Sequence, residues 1–169
     1  MDAEQLRALQ APLKQSYRDE PQAALITLTA RGTLGAGVSC KVETGQALVE
    51  AGLHPATGGD GMLACSGDML LEALVACAGV TLNAVATAIN VELRDASLEA
   101  EGDLDFRGTL GVDRDAAVGF KAIRLKIDLD TDADEEQIEN LLKLTKRYCV
   151  VFQTLRGVAD LETIYTLRR

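Results

Sequence analysis

Two cysteines in segments with helical character are the residues best suited to chemistry in this sequence. Cys77 lies in the long apolar run 69–91, and Cys149 lies in a second segment with helical spacing. If the two thiols met, one thiolate could attack an electrophile such as a peroxide oxygen and become a sulfenic acid. The second thiol could then condense with it to form a disulfide. Such chemistry requires a lowered thiol pKa and limited access from solvent.

A structural role for the cysteines is the alternative hypothesis. Free cysteine is among the most buried residue types and packs as a small hydrophobic side chain. Spacing alone does not bring two thiols together, so both interpretations stay open at this point. Cys40 alternates with Val38 and Val42 and is predicted to be a core residue. Cys65 lies in a glycine-rich loop, and a functional role for it is less easily excluded.

Metal and cofactor sites are not expected. The four cysteines are widely spaced and form no CxxC pair, and His54 is the only histidine, which argues against zinc. A single histidine also argues against Ser-His or Cys-His activation, unless His54 itself is the base. We expect His54, in the turn-rich stretch LHPATGG, to be a solvated loop residue.

The elements that would position Cys77 begin with a central helix over 69–91, preceded by a glycine-rich loop at 54–67. The run is long enough to cross a membrane, but Glu72, Asn83 and Asn90 would each be costly in hydrocarbon. A soluble helix that is apolar nearly all round is buried against other elements. The sequence therefore predicts a core helix and no membrane span.

Strands are predicted on both sides of this helix. Three short runs rich in β-branched residues, at 24–31, 37–44 and 46–52, indicate antiparallel strands. Two more are predicted at 97–106 and 120–131, the latter with strict alternation of apolar and charged residues. The fold class indicated by this order is α+β.

A second helix is predicted to carry Cys149. Asp132 and Glu135 form a capping-box pattern, and an apolar stripe continues to a stop at Gly157. Cys149 falls on this stripe and is expected to face the core. The closing segment 161–169 is predicted to be a final strand.

The chain is expected to form one domain with an N-terminal extension. Leucines at helical spacing predict a short helix over 3–17, interrupted by Pro12 and ending before Pro21. The predicted boundaries are an N-terminal helical arm at 1–22 and a single domain at 23–169.

The charge balance bears on partners. The chain has 26 acidic and 17 basic residues and a formal net charge of −9, so nucleic acid and anionic membrane surfaces are not expected partners. The N-terminus shows no secretory signal pattern, and the expected compartment is the cytoplasm.

Two cysteine segments resemble the motifs of the OsmC/Ohr family of organic hydroperoxide reductases. The stretch GGDGMLACSGDMLLEALVACAGVT is similar to the glycine-rich loop and apolar helix that carry the family's first cysteine. The stretch KRYCVVFQTL is similar to its second-cysteine motif. The resemblance covers about 24–169 and leaves the N-terminal helix as an addition.

The resemblance implies an OsmC-like fold, an intertwined homodimer in which antiparallel sheets wrap around central helices, with the cysteine pairs at the dimer interface. It implies that Cys77 is the peroxidatic thiol and Cys149 the resolving thiol of an organic hydroperoxide reductase in oxidative stress defence. A dithiol donor would re-reduce the pair. Arg31 falls where the Ohr branch places an arginine that orients and activates the thiolate.

Two departures from the family pattern concern the site. Gly67 stands where the Ohr branch has a glutamate, and Asp68 or Glu72 is a possible acid partner in its place. Val150 stands where the family has proline after the second cysteine, so the second helix is expected to run on through Cys149. These departures favour a rival hypothesis, a non-catalytic OsmC-fold protein that binds a small apolar ligand or partner.

Overall fold

A computed structural model of the chain describes residues 2–20, 31–34, 39–43, 48–111, 113–157 and 159–165. The predicted α+β class is confirmed. The elements in chain order are α1 (Ala3–Asp19), β1 (Arg31–Leu34), β2 (Ser39–Glu43), β3 (Leu48–Gly52), β4 (Ala64–Cys65), α2 (Ser66–Ile89), β5 (Asp95–Asp103), α3 (Phe106–Thr109), β6 (Ala122–Asp130), α4 (Glu135–Tyr148) and α5 (Val150–Arg156).

The central helix α2 is the element that the others pack against. It contacts α1, β4, β5, α4 and α5. Its buried side chains form one face of the helix: Leu74, Ala78, Leu82, Val85 and Ala86. By length and apolar composition α2 is the one helix in the described part of the chain that could cross a membrane. In this fold, that buried face meets protein.

The boundaries of α2 differ from the predicted 69–91. The helix starts at Ser66, because the chain is extended through β4 and turns helical after Cys65. It ends at Ile89, because Asn90 adopts a left-handed conformation with φ of 56° and its N–H closes the helix onto Ala86 and Thr87. Asparagine tolerates this conformation better than most residues.

The two strands predicted at 97–106 and 120–131 are confirmed as β5 and β6, although β5 begins two residues earlier and ends at Asp103. The strands pair antiparallel along their full length, from Asp95 opposite Asp130 to Asp103 opposite Ala122. The apolar side chains of β6 are half-buried and the charged ones are exposed, as the alternation predicts. Opposite charges pair across the exposed face, for example Arg124 with Asp103 at 2.5 Å. The other face packs against α2 and α4.

The capping box of α4 lies two residues later than predicted. Asp134, not Asp132, accepts from the backbone N–H of Gln137, and the Gln137 side chain accepts from the Asp134 N–H. Asp132 instead pairs with Arg94 at 2.5 Å.

The prediction of one continuous second helix is wrong. The backbone leaves the helix at Cys149, with φ of −71° and ψ of 109°, and α5 starts at Val150. The break is stabilised because the Cys149 sulfur accepts a hydrogen bond from the Phe152 N–H at 3.5 Å and so caps the new helix. The predicted stop at Gly157 is confirmed as the end of α5.

The N-terminal sheet is described in part. Strands β1, β2 and β3 pair antiparallel in sequence order, which confirms the prediction for the second and third runs. Residues 24–30 of the predicted first strand lie outside the described residues, and β1 begins at Arg31. The predicted loop at 54–67 contains a short strand, β4, which pairs parallel to β3.

Three further predictions need correction. The first helix continues past Pro12 to Asp19 and packs against α2. His54 is half-buried, because its ring stacks on Phe106 with centroids 4.9 Å apart and its Nδ1 accepts from the Ala56 N–H. Residues 161–165 form no strand, since they pair with no described strand, and 166–169 lie outside the described residues. The division into an arm and a domain stays a prediction.

The N-cap of α2 offers a test of the fold. Cys65 occupies this position and makes no side-chain hydrogen bond to the helix. A serine hydroxyl would accept from a first-turn N–H, so Cys65→Ser is expected to raise the free energy of unfolding by about 1 kcal/mol. Urea denaturation measures the change. Cys65→Ala is the control that supplies no acceptor, and equal stability of the two variants would contradict the helix start.

Candidate active site

Cys77 and Cys149 meet at the junction between α4 and α5. Cys149 is only 1% exposed and packs with Leu74 and Ala78 of α2. Cys77 lies half-buried against this cluster and is in hydrogen-bonding contact with the Cys149 side chain. Both are free thiols. The structure therefore brings together the two cysteines that the sequence singled out.

The break between α4 and α5 supplies hydrogen-bond donors to this pair. In a continuous helix the N–H groups of Val150 and Val151 would bond to carbonyls four residues earlier. At the start of α5 these N–H groups are free of that role, and both lower the pKa of the Cys77 thiol. The Lys146 carbonyl accepts instead from the Gln153 side chain at 2.6 Å. The break thus gives one sulfur two backbone donors.

These contacts lower the pKa of the Cys77 thiol. Burial on its own would raise it, but hydrogen bonds from the Val151 N–H, the Cys149 thiol, the Val150 N–H and the Thr81 hydroxyl outweigh burial. Thr81 contributes least, since its hydroxyl already donates to the Cys77 carbonyl at 2.7 Å. Cys77 is the thiol that forms the thiolate.

The pKa of the Cys149 thiol is raised. Burial is the main cause, and the neighbouring Cys77 thiolate adds to it, against the opposing effect of the Phe152 and Val151 N–H groups. Of the two thiols, Cys77 therefore ionises at the lower pH. A pair of this kind can supply one nucleophile and one protonated partner.

An apolar cavity of about 350 Å³ lies beside the buried cluster of Leu74, Ala78 and Cys149, and neither cysteine lines it. Leu74 lines it together with residues of β6 and α5, including Ile123, Leu125 and Phe152. Lys121 and Arg156 also line it. The cavity can hold an apolar group, and Leu74 connects it to the cluster that contains Cys149.

Comparison with known proteins identifies the fold and its family. The family described as "OsmC-like protein" matches residues 59–163, well over half of the chain. The chain belongs to the OsmC-like family. No curated protein matches.

Solved structures support the OsmC-like fold. The chain is similar to an OsmC-like protein from Mycoplasma pneumoniae, with 20% identity, a TM-score of 0.65 and coverage of 79% of this chain and 89% of that one. It is also similar to an organic hydroperoxide resistance protein OsmC from Legionella pneumophila, with 21% identity, a TM-score of 0.62 and coverage of 79% and 92%. The OhrB protein of Bacillus subtilis matches at 23% identity and a TM-score of 0.53, with coverage of 81% and 96%. At these identities the likeness establishes the fold.

Two other predicted site residues are not brought to the thiols, and a third is described by its backbone alone. Asp68 and Glu72 are exposed and line a separate shallow groove with Val75, on another face of α2. Arg31 begins β1 opposite Glu43, and its side chain lies outside the described part of the structure. Their roles in an OsmC-like site stay predictions.

Sequence reasoning missed the backbone donors. The position of Thr81 beside Cys77 follows from helical spacing, since Thr81 sits one turn after Cys77 on the same face. The donors follow from the helix break, for which KRYCVVFQTL contains no glycine or proline as a signal. The signal for the break was the family motif, in which a proline follows the second cysteine. Proline is favoured at the first position of a helix, so the motif indicates that a new helix starts there. Val150 occupies this first position of α5 without the proline.

The hydrogen bond from Cys149 to Cys77 can be tested with two substitutions of the same residue. Cys149→Ala removes the donor and is expected to raise the pKa of Cys77, whereas Cys149→Ser keeps a hydroxyl donor and should raise it less. The pH dependence of Cys77 alkylation by iodoacetamide, followed by peptide mapping, measures both. Identical profiles for the two variants would show that the contact does not set the pKa.

Proposed function

We propose that this chain is a thiol-dependent peroxidase that reduces organic hydroperoxides through a two-cysteine cycle. The Cys77 thiolate attacks the outer peroxide oxygen, the O–O bond breaks, and the alkoxide takes a proton and leaves as the alcohol. The resulting Cys77 sulfenic acid condenses with the Cys149 thiol, which gives a disulfide and water. A dithiol donor then reduces the disulfide and is itself oxidised.

The observation that carries this proposal is the meeting of two free thiols at the junction between α4 and α5, and the opposite directions of their pKa shifts support it. A lowered pKa provides the attacking thiolate at Cys77, and a raised pKa keeps Cys149 protonated until the sulfenic acid forms. A purely structural pair of buried cysteines has no need of backbone donors directed at one sulfur. The similar proteins named for organic hydroperoxide resistance, such as that of Legionella pneumophila, support the same chemistry.

The apolar cavity supports an organic rather than an inorganic peroxide. Its lining is mainly aliphatic and aromatic, so burial of an alkyl or aryl group there is favourable by the hydrophobic effect. Hydrogen peroxide has no such group and would gain nothing from the cavity. We place the reaction in the cytoplasm, where thiols are kept reduced.

A homodimer is part of the proposal. Beside Cys77, the exposed side of α2 carries apolar side chains at helical spacing: Leu70, Ala73, Val80, Ala84 and Ala88. An apolar stripe of this kind on the central helix of a single protomer is suited to pairing with a second copy. Pairing along this stripe would place the cysteines at the interface.

The second candidate function is non-catalytic binding of a small apolar ligand. The same cavity of about 350 Å³ favours it. Gly67, in place of the glutamate of the Ohr branch, also supports it, because glycine supplies no carboxylate at this position.

Peroxide treatment separates the two functions. One equivalent of cumene hydroperoxide is expected to remove two thiols and form a Cys77–Cys149 disulfide, detected by intact mass and peptide mapping. Cys149→Ser should stop at the sulfenic acid, trapped with dimedone, and should overoxidise with excess peroxide. Cys65→Ser is the control and should still form the disulfide. Unchanged free thiols in the wild type would favour the ligand-binding function.

The dimer can be tested with a charge on the exposed stripe. Val80 is 73% exposed, and Val80→Lys is expected to halve the mass in light scattering because a lysine in an apolar interface is unfavourable. Val118→Lys is the matched control, since Val118 is 64% exposed and lies in a loop away from α2. A wild-type protein of single-chain mass would contradict the homodimer.

A further inference from the structure

A basic groove lies next to the cysteine pair in this acidic chain. Its four cationic side chains come from two helices, Lys143, Lys146 and Arg147 from α4 and Arg156 from α5, together with Tyr148 and Phe152. The groove measures about 960 Å³, and no acidic residue lines it. With a net charge of −9 for the whole chain, the surface outside the groove is strongly acidic.

The cations of the basic groove differ from the arginines that the fold pairs with carboxylates. Arg94, Arg107 and Arg124 are each paired with carboxylates within 3.2 Å. The four cations of the groove make no salt bridge to any residue in the described ranges. Cations in the last turn of a helix are favoured by the helix dipole, which accounts for individual positions. It does not account for the way in which cations from two helices line one groove whose own lining has no carboxylate. Glu136 and Glu139 lie with Lys143 and Lys146 in the adjoining groove.

The position of the basic groove connects it to the thiols. Tyr148 precedes Cys149 in the chain, and Phe152 lines both this groove and the apolar cavity. Val150, whose N–H bonds to Cys77, is 69% exposed at the same junction. A molecule bound in the groove would therefore lie beside the disulfide that peroxide reduction generates.

The shape of the groove favours a protein surface over a small anion. It is wide and lined by long, flexible side chains, and it contains no buried polar side chain to fix a small ligand. An acidic surface can pair with several separated cations at once, and charge complementarity of this kind mainly accelerates association. A chain of net charge −9 would repel such a partner everywhere else.

We propose that the basic groove docks an acidic protein that carries the reducing dithiol. This inference rests on the proposed function, since it concerns the step that regenerates the thiols. One thiolate of the partner attacks the Cys77–Cys149 disulfide and forms a mixed disulfide, and its second thiol displaces the remaining sulfur. The partner leaves as a disulfide, and its two electrons and two protons restore both cysteine thiols.

The test uses two synthetic dithiol peptides of equal length, one flanked by glutamates and one by lysines, with dithiothreitol as an uncharged reductant. The Cys77–Cys149 disulfide is formed with diamide, so the experiment does not depend on peroxidase activity. Each peptide's rate is divided by its rate with a neutral dipyridyl disulfide, which corrects for the different thiol pKa values. At low salt the acidic peptide is expected to reduce the protein about tenfold faster than the basic one. High salt should remove this difference.

Variants locate the effect. The double variant Lys146→Gln and Arg147→Gln should lose most of the acidic-peptide advantage, while Arg7→Gln with Arg114→Gln, two exposed cations elsewhere, should keep it. Dithiothreitol should reduce all of them at the same rate. If the first variant is unfolded in circular dichroism, Lys143→Gln with Arg156→Gln replaces it.

The proposal is overturned if the basic peptide is equally fast, or if the advantage persists without the groove cations. Failure of peroxide to form the disulfide would instead count against the proposed function and leave this result unaffected.

Discussion

The site depends on the requirement that backbone N–H groups find acceptors. A helix uses its N–H groups internally, and only the first turn has them to spare. Because α4 ends at Tyr148 and α5 starts at Val150, a new helical first turn lies in the middle of the apolar stripe. The acceptor available there is the sulfur of Cys77. A straight helix with the same side chains would place Cys149 nearby and offer Cys77 no backbone donor.

Packing holds this geometry in place from both sides. The buried face of α2 fixes Cys77 relative to β5 and α4, and the cluster of Leu74, Ala78 and Cys149 fixes the start of α5 on α2. The chemistry of each thiol then follows from its surroundings. Hydrogen-bond donors outweigh burial at Cys77, whereas burial dominates at Cys149. The apolar cavity is a by-product of the same packing, since Leu74 and Phe152 contribute to both.

The sequence was sufficient to predict the elements that have a clear hydrophobic period. It was insufficient to predict helix boundaries that depend on a single residue. The alternation of β6 and the apolar length of α2 predicted both, and the family motifs predicted which cysteines meet. The predicted start of α2 was wrong because Cys65 is an unusual N-cap. The predicted cap of α4 was wrong because Asp132 and Asp134 are both plausible N-caps. Asp132 pairs with Arg94, and Asp134 caps the helix. The break at Cys149 could not be predicted from propensity, since a sulfur-capped helix start leaves no glycine or proline in the sequence.

The capping role of Cys149 has a consequence for how the protein changes during its cycle. Its sulfur accepts from the Phe152 N–H and so holds the first turn of α5. A bond from this sulfur to Cys77 withdraws electron density from it and redirects its lone pairs, which weakens the cap. The same event ends the hydrogen bonds of Val150 and Val151 to a thiolate. Oxidation of Cys149 therefore loosens the first turn of α5, a helix that also lines the basic groove. A partner in this groove would meet a different surface on the disulfide form than on the thiol form.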